Sequence, residues 1–305
     1  MVALVIPVWN GGERYSECLE AVAEQVPPVS ERLVMESGSK DGSRELSIRY
    51  NFHVNDVAPG TFNHGGTRSD AVQLVNDDIV VFLTQDAILD DPRAIANLVA
   101  AFDDPAVGAA YGRQLPHREA NLFAEHARAT SYTAKSYVTS MEADFPVGIR
   151  KCFASNSFAA YRRTALEQVG GFPSSVILSE DTYTVARMLQ EGWKVAYVAE
   201  AKVRHSHNYT LLEEFSRYFD IGVFHSMEYW VLKAFGRPEG EGVRIALDQI
   251  RFCMSRGRPD FAIRSIAMSG AKFLGYKLGS QHARLGANWS RRLAMHKGFF
   301  RNKQV

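Results

Sequence analysis

Short apolar runs rich in β-branched residues alternate with helical patterns over the first third of the chain. Leu4-Val5-Ile6-Pro7-Val8 precedes a helical stretch from Cys18 to Gln25, and Arg32-Leu33-Val34-Met35 precedes another from Gly42 to Tyr50. After a loop, a helix around Arg68 to Val75 leads into Ile79-Val80-Val81-Phe82-Leu83. Strands alternating with helices predict an α/β fold whose mostly parallel sheet is covered by helices on both faces. Residues 116–210 read as a second half on the same sheet, with Ala154 to Tyr161 strand-like, Thr182 to Gln190 helical and Trp193 to Val198 a further strand. From Leu211 onward the pattern is helical. The expected division is a sheet domain over 1–210, with halves 1–115 and 116–210, and a helical region over 211–305.

The stretch from Leu211 to Phe235 carries apolar residues all round, including Phe215, Phe219, Phe224 and Trp230. Such a helix is packed in a core or lies at a membrane interface, and core packing is the default expectation.

Ligands of a parallel sheet bind beyond the carboxyl ends of its strands. Three polar segments fall there: Val8-Trp9-Asn10-Gly11-Gly12, Glu36-Ser37-Gly38-Ser39-Lys40-Asp41-Gly42 and Thr84-Gln85-Asp86. Their convergence on one crevice is the main structural expectation. No G-x-G-x-x-G opens a helix and no P-loop pattern occurs, so dinucleotide and P-loop sites lose support.

Composition narrows the class. A chain of 305 residues with 46% hydrophobic residues can bury a sizeable core. Cys18, Cys152 and Cys253 are odd in number, widely spaced and form no CxxC, which suggests neither a disulfide framework nor a zinc ribbon and favours a reducing cytosol. The apolar start lacks the basic head and long apolar core of a signal peptide, and no run approaches the ~18 apolar residues of a membrane span. The net charge of +1 conceals an asymmetry: residues 1–200 hold 17 Lys+Arg against 26 Asp+Glu, about −9, and residues 201–305 hold 18 against 8, about +10. From Gln249 onward twelve basic residues meet one acid, Asp260, a balance that suits a polyanionic surface.

Asp86 follows the apolar run by three residues, which places its carboxylate at a strand end. Hard cations such as Mg2+ and Mn2+ take oxygen ligands and keep positions for phosphate oxygens, so Asp86 is a good first ligand; the alternative is a cap for the helix opening near Pro92. His205 and His207 alternate with Ser206, so in an extended segment both imidazoles point the same way, and one would complete the shell. Asp181 follows Glu180 at a helix start, where the dipole would keep a carboxylate ionised and ready to take a proton from an acceptor hydroxyl. The bland reading is that Ser179 caps this helix and the acids merely suit its dipole. Glu36 and Asp41 flank a Ser-Gly-Ser turn able to present a carboxylate to a base or ribose and amides to phosphate. Asn63-His64-Gly65-Gly66-Thr67-Arg68 reads as a flexible loop with a cationic end.

These segments resemble the family 2 glycosyltransferases of the GT-A fold, and within them the bacterial rhamnosyltransferases of O-antigen and related surface polysaccharides. The matching segments are Val5 to Asn10, Glu36 to Ser43, Phe62-Asn63-His64-Gly65-Gly66-Thr67-Arg68, Leu83-Thr84-Gln85-Asp86-Ala87, Ser155 to Phe158, Gly170-Gly171-Phe172, Glu180-Asp181 and His205 to Tyr209. Phe219 to His225 and Gly275 to Gly279 extend the likeness into the basic tail. The Phe-Asn-His-Gly-Gly-Thr-Arg and Thr-Gln-Asp-Ala segments are characteristic of the rhamnosyl group.

The resemblance implies inverting transfer from dTDP-β-L-rhamnose to a hydroxyl of a polyprenyl-linked saccharide, with Mg2+ or Mn2+ bridging the diphosphate. By position, Asp86 would hold the metal with His205 or His207, and Asp181 would be the general base. Pro7, Trp9, Glu36 and Asp41 would line the nucleotide site with Gln85, while His64, Gly65 and Arg68 take the diphosphate or sugar side and Asn156 and Ser157 lie near the donor sugar or acceptor. Two departures stand out: the usual D-x-D is reduced to Thr84-Gln85-Asp86, and Glu36 replaces a commoner aspartate.

The expected setting is the cytoplasmic face of the inner membrane, with the basic, aromatic tail drawn to anionic lipid. Other classes are a transferase of the same fold using another nucleotide sugar, a non-catalytic nucleotide-sugar binding module, or a metal-dependent hydrolase or nucleotidyltransferase. Nucleic acid is not expected as a partner, since the basic tail carries no recognition motif.

Overall fold

Ile79 to Leu83 is the most apolar of the expected strands, and all five of its residues are buried at the middle of the sheet. The computed structural model describes residues 2–236 and 241–301. The chain divides into two units, one made of residues up to His117 with 131–174 and 180–206, the other of 118–130, 175–179 and the chain from His207 onward.

The first unit runs β1 (Val2–Val8), α1 (Gly12–Ala23), β2 (Glu31–Glu36), α2 (Ser43–Arg49), β3 (His53–Asp56), α3 (His64–Leu74), β4 (Ile79–Leu83), β5 (Ile88–Leu89), α4 (Ala94–Val99) and β6 (Val107–Leu115). After α5 (Leu122–Ser131), nearly all of which belongs to the second unit, come β7 (Tyr137–Thr139), β8 (Phe158–Arg162), α6 (Arg163–Gln168), α7 (Glu180–Gln190) and β9 (Lys194–Arg204). The strands order β3-β2-β1-β4-β8-β6-β9-β5, with β7 pairing β9.

Parallel pairing holds for β3, β2, β1 and β4 and again between β6 and β9. Strand β8 enters antiparallel between β4 and β6, so the sheet is mixed, and the parallel character is concentrated in the half that the alternating sequence pattern covers. Strand β1 is almost wholly buried, as a parallel strand covered on both faces should be. Its side chains Leu4, Ile6 and Val8 join Tyr15, Leu19 and Val22 of α1 and Val81 and Leu83 of β4 in one core. The Tyr15 hydroxyl lies 2.6 Å from the Ser47 hydroxyl of α2, so the one buried polar tip there is satisfied.

The segment from Asn63 to Arg68 is not a loop. Asn63 is an N-cap whose side-chain oxygen accepts from the Gly65 and Gly66 amides at 3.1 and 2.8 Å, and α3 starts at His64. A Cβ on Gly65 would lie 1.9 Å from the Pro173 carbonyl oxygen, so this turn of helix admits only glycine there. The glycine pair that reads as loop flexibility is close packing.

The second unit holds α5 and, after His207, α8 (Leu211–Met227), α9 (Tyr229–Phe235), α10 (Glu241–Ser255), α11 (Pro259–Gly279), α12 (His282–Leu285) and α13 (Ala287–Leu293). Helix α8 opens on a capping box in which Thr210 and Glu213 satisfy each other's amides. Phe219, Val223, Phe224, Val231, Leu232 and Phe235 are buried, so much of the apolar stretch from Leu211 to Phe235 packs as core, while Leu211, Leu212 and Tyr229 are exposed. No helix among the described residues is long and apolar enough to cross a membrane.

Candidate functional site

The loops that leave β1, β2 and β4 are tied together by their own polar groups. Gln85 clamps Trp9 through both ends of its amide, accepting from the Trp9 amide at 2.8 Å and donating to the Trp9 carbonyl at 3.2 Å. Asn10 donates its amide to the Ser39 hydroxyl at 2.9 Å and accepts from the Lys40 amide at 2.8 Å. The Trp9 side chain itself remains 62% exposed, a flat apolar surface presented beside this junction. Pro7, on β1, lies opposite Met35 of β2.

Glu36 and Asp41 hold this geometry. Glu36 accepts from the Gly38 and Ser39 amides at 2.9 and 2.7 Å. Burial opposes its charge, but the hydrogen bonds from Ser39 and Gly38 outweigh burial and hold the carboxyl below its ordinary value. Asp41 accepts from the Ser43 hydroxyl at 2.6 Å, the Ser43 amide at 3.1 Å and the Gly12 amide at 2.9 Å, and the Ser43 hydroxyl above all keeps it ionised. Both carboxylates are thereby shaping the loops they stand in.

Asp86 and His205 meet across the sheet. The Thr84-Gln85-Asp86 turn closes on itself through the Ala87 amide to the Thr84 carbonyl at 3.0 Å, and the His205 amide donates to the Leu115 carbonyl of β6 at 2.9 Å. The His205 Nε2 then faces the Asp86 Oδ1 at 3.5 Å. Asp86, His205 and His207 each offer a ligand atom, all within 4.8 Å of one another.

The His205 tautomer suits metal binding. Ser155 donates to the Ser157 hydroxyl at 3.3 Å, so its oxygen accepts from the Gln114 side-chain amide at 2.8 Å. That leaves the Gln114 carbonyl oxygen facing the His205 Nδ1 at 3.1 Å, which must donate. In the neutral ring this leaves the lone pair on Nε2, facing the Asp86 carboxylate, and a cation between these two electron-rich atoms would reconcile them. One carboxylate and imidazole nitrogens form a donor set of the kind that Mn2+ accepts. Sequence reading missed Gln114 and Ser155 in this role; the available signal was Gln114 with Arg113 near the end of the mostly apolar β6.

A second polar cluster forms at the start of α7. Arg68 reaches the Glu180 carboxylate at 3.0 Å, with side chains 4% and 8% exposed, and also donates to the His64 carbonyl at 2.9 Å. Its guanidinium lies 5.9 Å from the Phe82 ring centre. Arg68, expected on the diphosphate side, is thus committed to a buried ion pair, while the His64 ring packs edge-on against Phe62 at 5.0 Å.

Asn156 joins Glu180 to Asp181. Its side-chain amide donates to Glu180 at 3.1 Å, its backbone amide to Asp181 at 3.2 Å, and its carbonyl oxygen accepts from the Tyr161 hydroxyl at 2.8 Å. Burial opposes the Glu180 charge, but Arg68, and after it His64 and Asn156, outweigh burial and lower its pKa. Asp181 moves the other way: burial, and next the Glu180 charge, lift its carboxyl from the ordinary 3.8 to about 7. The helix start does not keep Asp181 ionised as its position in the sequence implied, because desolvation and a like charge one residue away exceed the two amide hydrogen bonds from Thr182 and Asn156. Ser179 does not adopt the extended backbone of a capping residue either; its φ is +62°, left-handed. A carboxyl titrating near neutrality is matched to taking a proton from a hydroxyl.

The chain is similar to proteins of known role along almost its whole length. It is 46% identical over 305 residues to the O-antigen chain rhamnosyltransferase RfbN of Salmonella typhimurium, covering 99% of this chain and 97% of that one. It is 42% identical over 303 residues to the O-antigen chain rhamnosyltransferase WbaN of Salmonella anatum, covering 99% and 96%. Among solved structures, the mannosyltransferase PcManGT from Pyrobaculum calidifontis, in complex with GDP-Man and Mn2+, shares the fold with a TM-score of 0.60 at 18% identity over 98% of this chain and 84% of its own. The mixed sheet flanked by helices is therefore a GT-A fold with a helical C-terminal region. A family profile described as "Glycosyltransferase like family 2" matches residues 1–219, and with strand-end loops, acidic groups and histidines arranged as above, the chain belongs to that family of glycosyltransferases.

Proposed function

We propose that this protein is an inverting, metal-dependent rhamnosyltransferase that moves L-rhamnose from dTDP-β-L-rhamnose to a hydroxyl of a polyprenyl-linked saccharide in O-antigen synthesis. The observation that carries the reading is the 46% identity, end to end, with an O-antigen chain rhamnosyltransferase. The site geometry supports it.

In the proposed reaction the acceptor oxygen attacks the anomeric carbon from the face opposite the diphosphate. A C–O bond forms there, the bond from that carbon to the diphosphate oxygen breaks, and dTDP departs with the electron pair. Asp181, titrating near 7, takes the acceptor proton as the new bond forms. Asp86, His205 and His207 would hold Mg2+ or Mn2+, which when bound neutralises charge developing on the leaving diphosphate. The Trp9 ring, the Glu36–Asp41 loop and Gln85 would frame the nucleotide. His64 and Gly65 would stand on the diphosphate or sugar side, with Arg68 acting there through Glu180, and Asn156 would position Glu180 and Asp181.

Residues 1–115 would serve the donor and 116–210 the acceptor, with the helical remainder at the cytoplasmic face of the inner membrane. Thermal stabilisation by dTDP, UDP, GDP and ADP, with and without Mn2+, tests the donor assignment. A ligand at a hundred times its dissociation constant adds about 2.7 kcal/mol. The expected result is stabilisation by dTDP that requires Mn2+ and disappears in Asp86→Ala. A preference for another nucleotide would overturn the rhamnosyl reading and leave the family assignment intact.

A further inference from the structure

Helix α11 is apolar on two sides, and among the described residues one of them is packed while the other is exposed. Ala262, Ser265, Met268, Ala271, Gly275 and Gly279 form its buried stripe. The two glycines bring α11 against the backbone of α8: a Cβ on Gly275 would lie 2.3 Å from the Phe215 carbonyl oxygen and one on Gly279 would lie 1.9 Å from that of Phe219. Turned away from this contact at helical spacing are Ile263 (71% exposed), Ile266 (64%), Phe273 (62%), Leu274 (56%) and Leu278 (36%). They span sixteen residues, about 22 Å of helix. Neighbouring α10 exposes Val243, Leu247 and Met254 at the same kind of spacing.

We propose that the exposed stripe of α11 is a docking surface for an anionic phospholipid bilayer, entered by Ile263, Ile266, Phe273 and Leu274. The inference deepens the membrane-surface part of the proposed function and takes its setting from it, while its evidence is this face alone. The choice of occupant follows from charge. The chain from Gln249 onward has twelve basic residues and one acid, and that acid, Asp260, is held by Arg258 through two hydrogen bonds of 2.8 and 2.7 Å. Arg256 and Lys272 are paired with Glu125 and Glu214, yet the stretch keeps a clear excess of positive charge, so a second copy would bring like charge together, whereas an anionic bilayer complements it and accepts the apolar side chains. Lys277, whose ammonium lies 5.8 Å from the Phe273 ring centre, places a cation at the edge of the stripe. Trp289, 58% exposed with the Arg292 guanidinium 5.2 Å from its ring, adds the aromatic and basic pairing that suits a headgroup layer.

The test is co-sedimentation of the full-length protein with phosphatidylglycerol-rich vesicles and with pure phosphatidylcholine vesicles, for wild type and for Ile266→Ser/Phe273→Ser/Leu274→Ser. The three side chains are exposed, so the variant should keep the wild-type melting temperature and its stabilisation by nucleotide. Wild type should prefer the anionic vesicles and release them as salt rises from about 0.05 to about 0.5 M, and the variant should bind roughly tenfold or more weakly. Binding unchanged in the triple variant, or equal binding to both vesicle types, overturns the proposal. So does a wild-type dimer that the variant converts to monomer without any change in vesicle binding, which would assign the stripe to a second copy. The wild-type preference and its salt dependence test the charge argument even if the triple variant does not fold. Loss of sugar transfer with vesicle binding intact would count against the proposed reaction and not against this surface.

Discussion

Arg68 and Glu180 form a buried ion pair with 3.0 Å between nitrogen and oxygen, and Glu180 is the residue immediately before Asp181. The pair fixes which of two adjacent acids is charged. Arg68 compensates Glu180, and the compensated charge of Glu180, added to burial, makes ionisation of Asp181 costly. Two carboxyls one residue apart are driven in opposite directions by where a single guanidinium sits, the usual way a fold separates acid and base roles.

The first prediction concerns pH. If Asp181 acts as the base, kcat/KM rises with pH through a midpoint near 7. Asp181→Asn abolishes that limb and lowers kcat by about 10²–10⁴-fold. Because the folded pKa lies above the ordinary value, the folded protein holds this proton between about pH 3.8 and 7, and the associated stability is lost as pH rises through 7. Asp181→Asn should therefore melt higher than wild type at pH 8, by about 2–4 °C, with the difference shrinking toward pH 5. Thermal melts at the two pH values read this directly.

Removing Arg68 should be costly for a different reason. Arg68→Met leaves the Glu180 carboxylate buried without its cation, a loss of about 3–5 kcal/mol in urea unfolding. The depressed pKa of Glu180 gives wild type a stabilisation present above pH 4.5 and lost as pH falls through the folded value. The variant should lose that contribution. Adding Glu180→Gln to Arg68→Met should recover much of the stability; no recovery would mean that Arg68 supports the fold through packing on Phe82.

Metal affinity should follow the His205 tautomer. Asp86→Ala and His205→Ala should each abolish Mn2+ binding measured by calorimetry. Gln114→Leu removes the acceptor of the Nδ1 proton and should weaken Mn2+ by about 10–100-fold, and Gln114→Glu, which keeps an acceptor there, should weaken it less. Nitrogen chemical shifts of the His205 ring report the tautomer without any turnover. Wild-type shifts showing the proton on Nε2 would sink the assignment.

Gly65→Ala should destabilise by overpacking, with no change of charge. Its Cβ would stand 1.9 Å from the Pro173 carbonyl oxygen, so either α3 or the chain at Pro173 must move. Overpacking of this kind costs about 1–3 kcal/mol. A neutral result would show that this contact relaxes freely.

The sequence by itself determined the parallel half of the sheet, because β-branched runs and helical periodicity are local properties, and Ile79 to Leu83 forms β4 with the expected bounds. It also determined that Asp86 lies at a strand end, that His205 and His207 lie just past another, and that Glu180 and Asp181 open a helix. The short β3 and β7 were not legible, since three- and four-residue strands hardly register a period and owe their existence to a neighbour's ladder. Only the tertiary structure decided that Asp86 meets His205, that Gln114 and Ser155 set the imidazole tautomer, and that Arg68 turns to Glu180. Those relations join residues separated by dozens to more than a hundred positions, and proximity of that kind is a consequence of sheet order. The protonation preference of Asp181 and the exposure of α11 belong to the same class. Local sequence names the residue type, whereas desolvation and partnering depend on what the rest of the chain places around it.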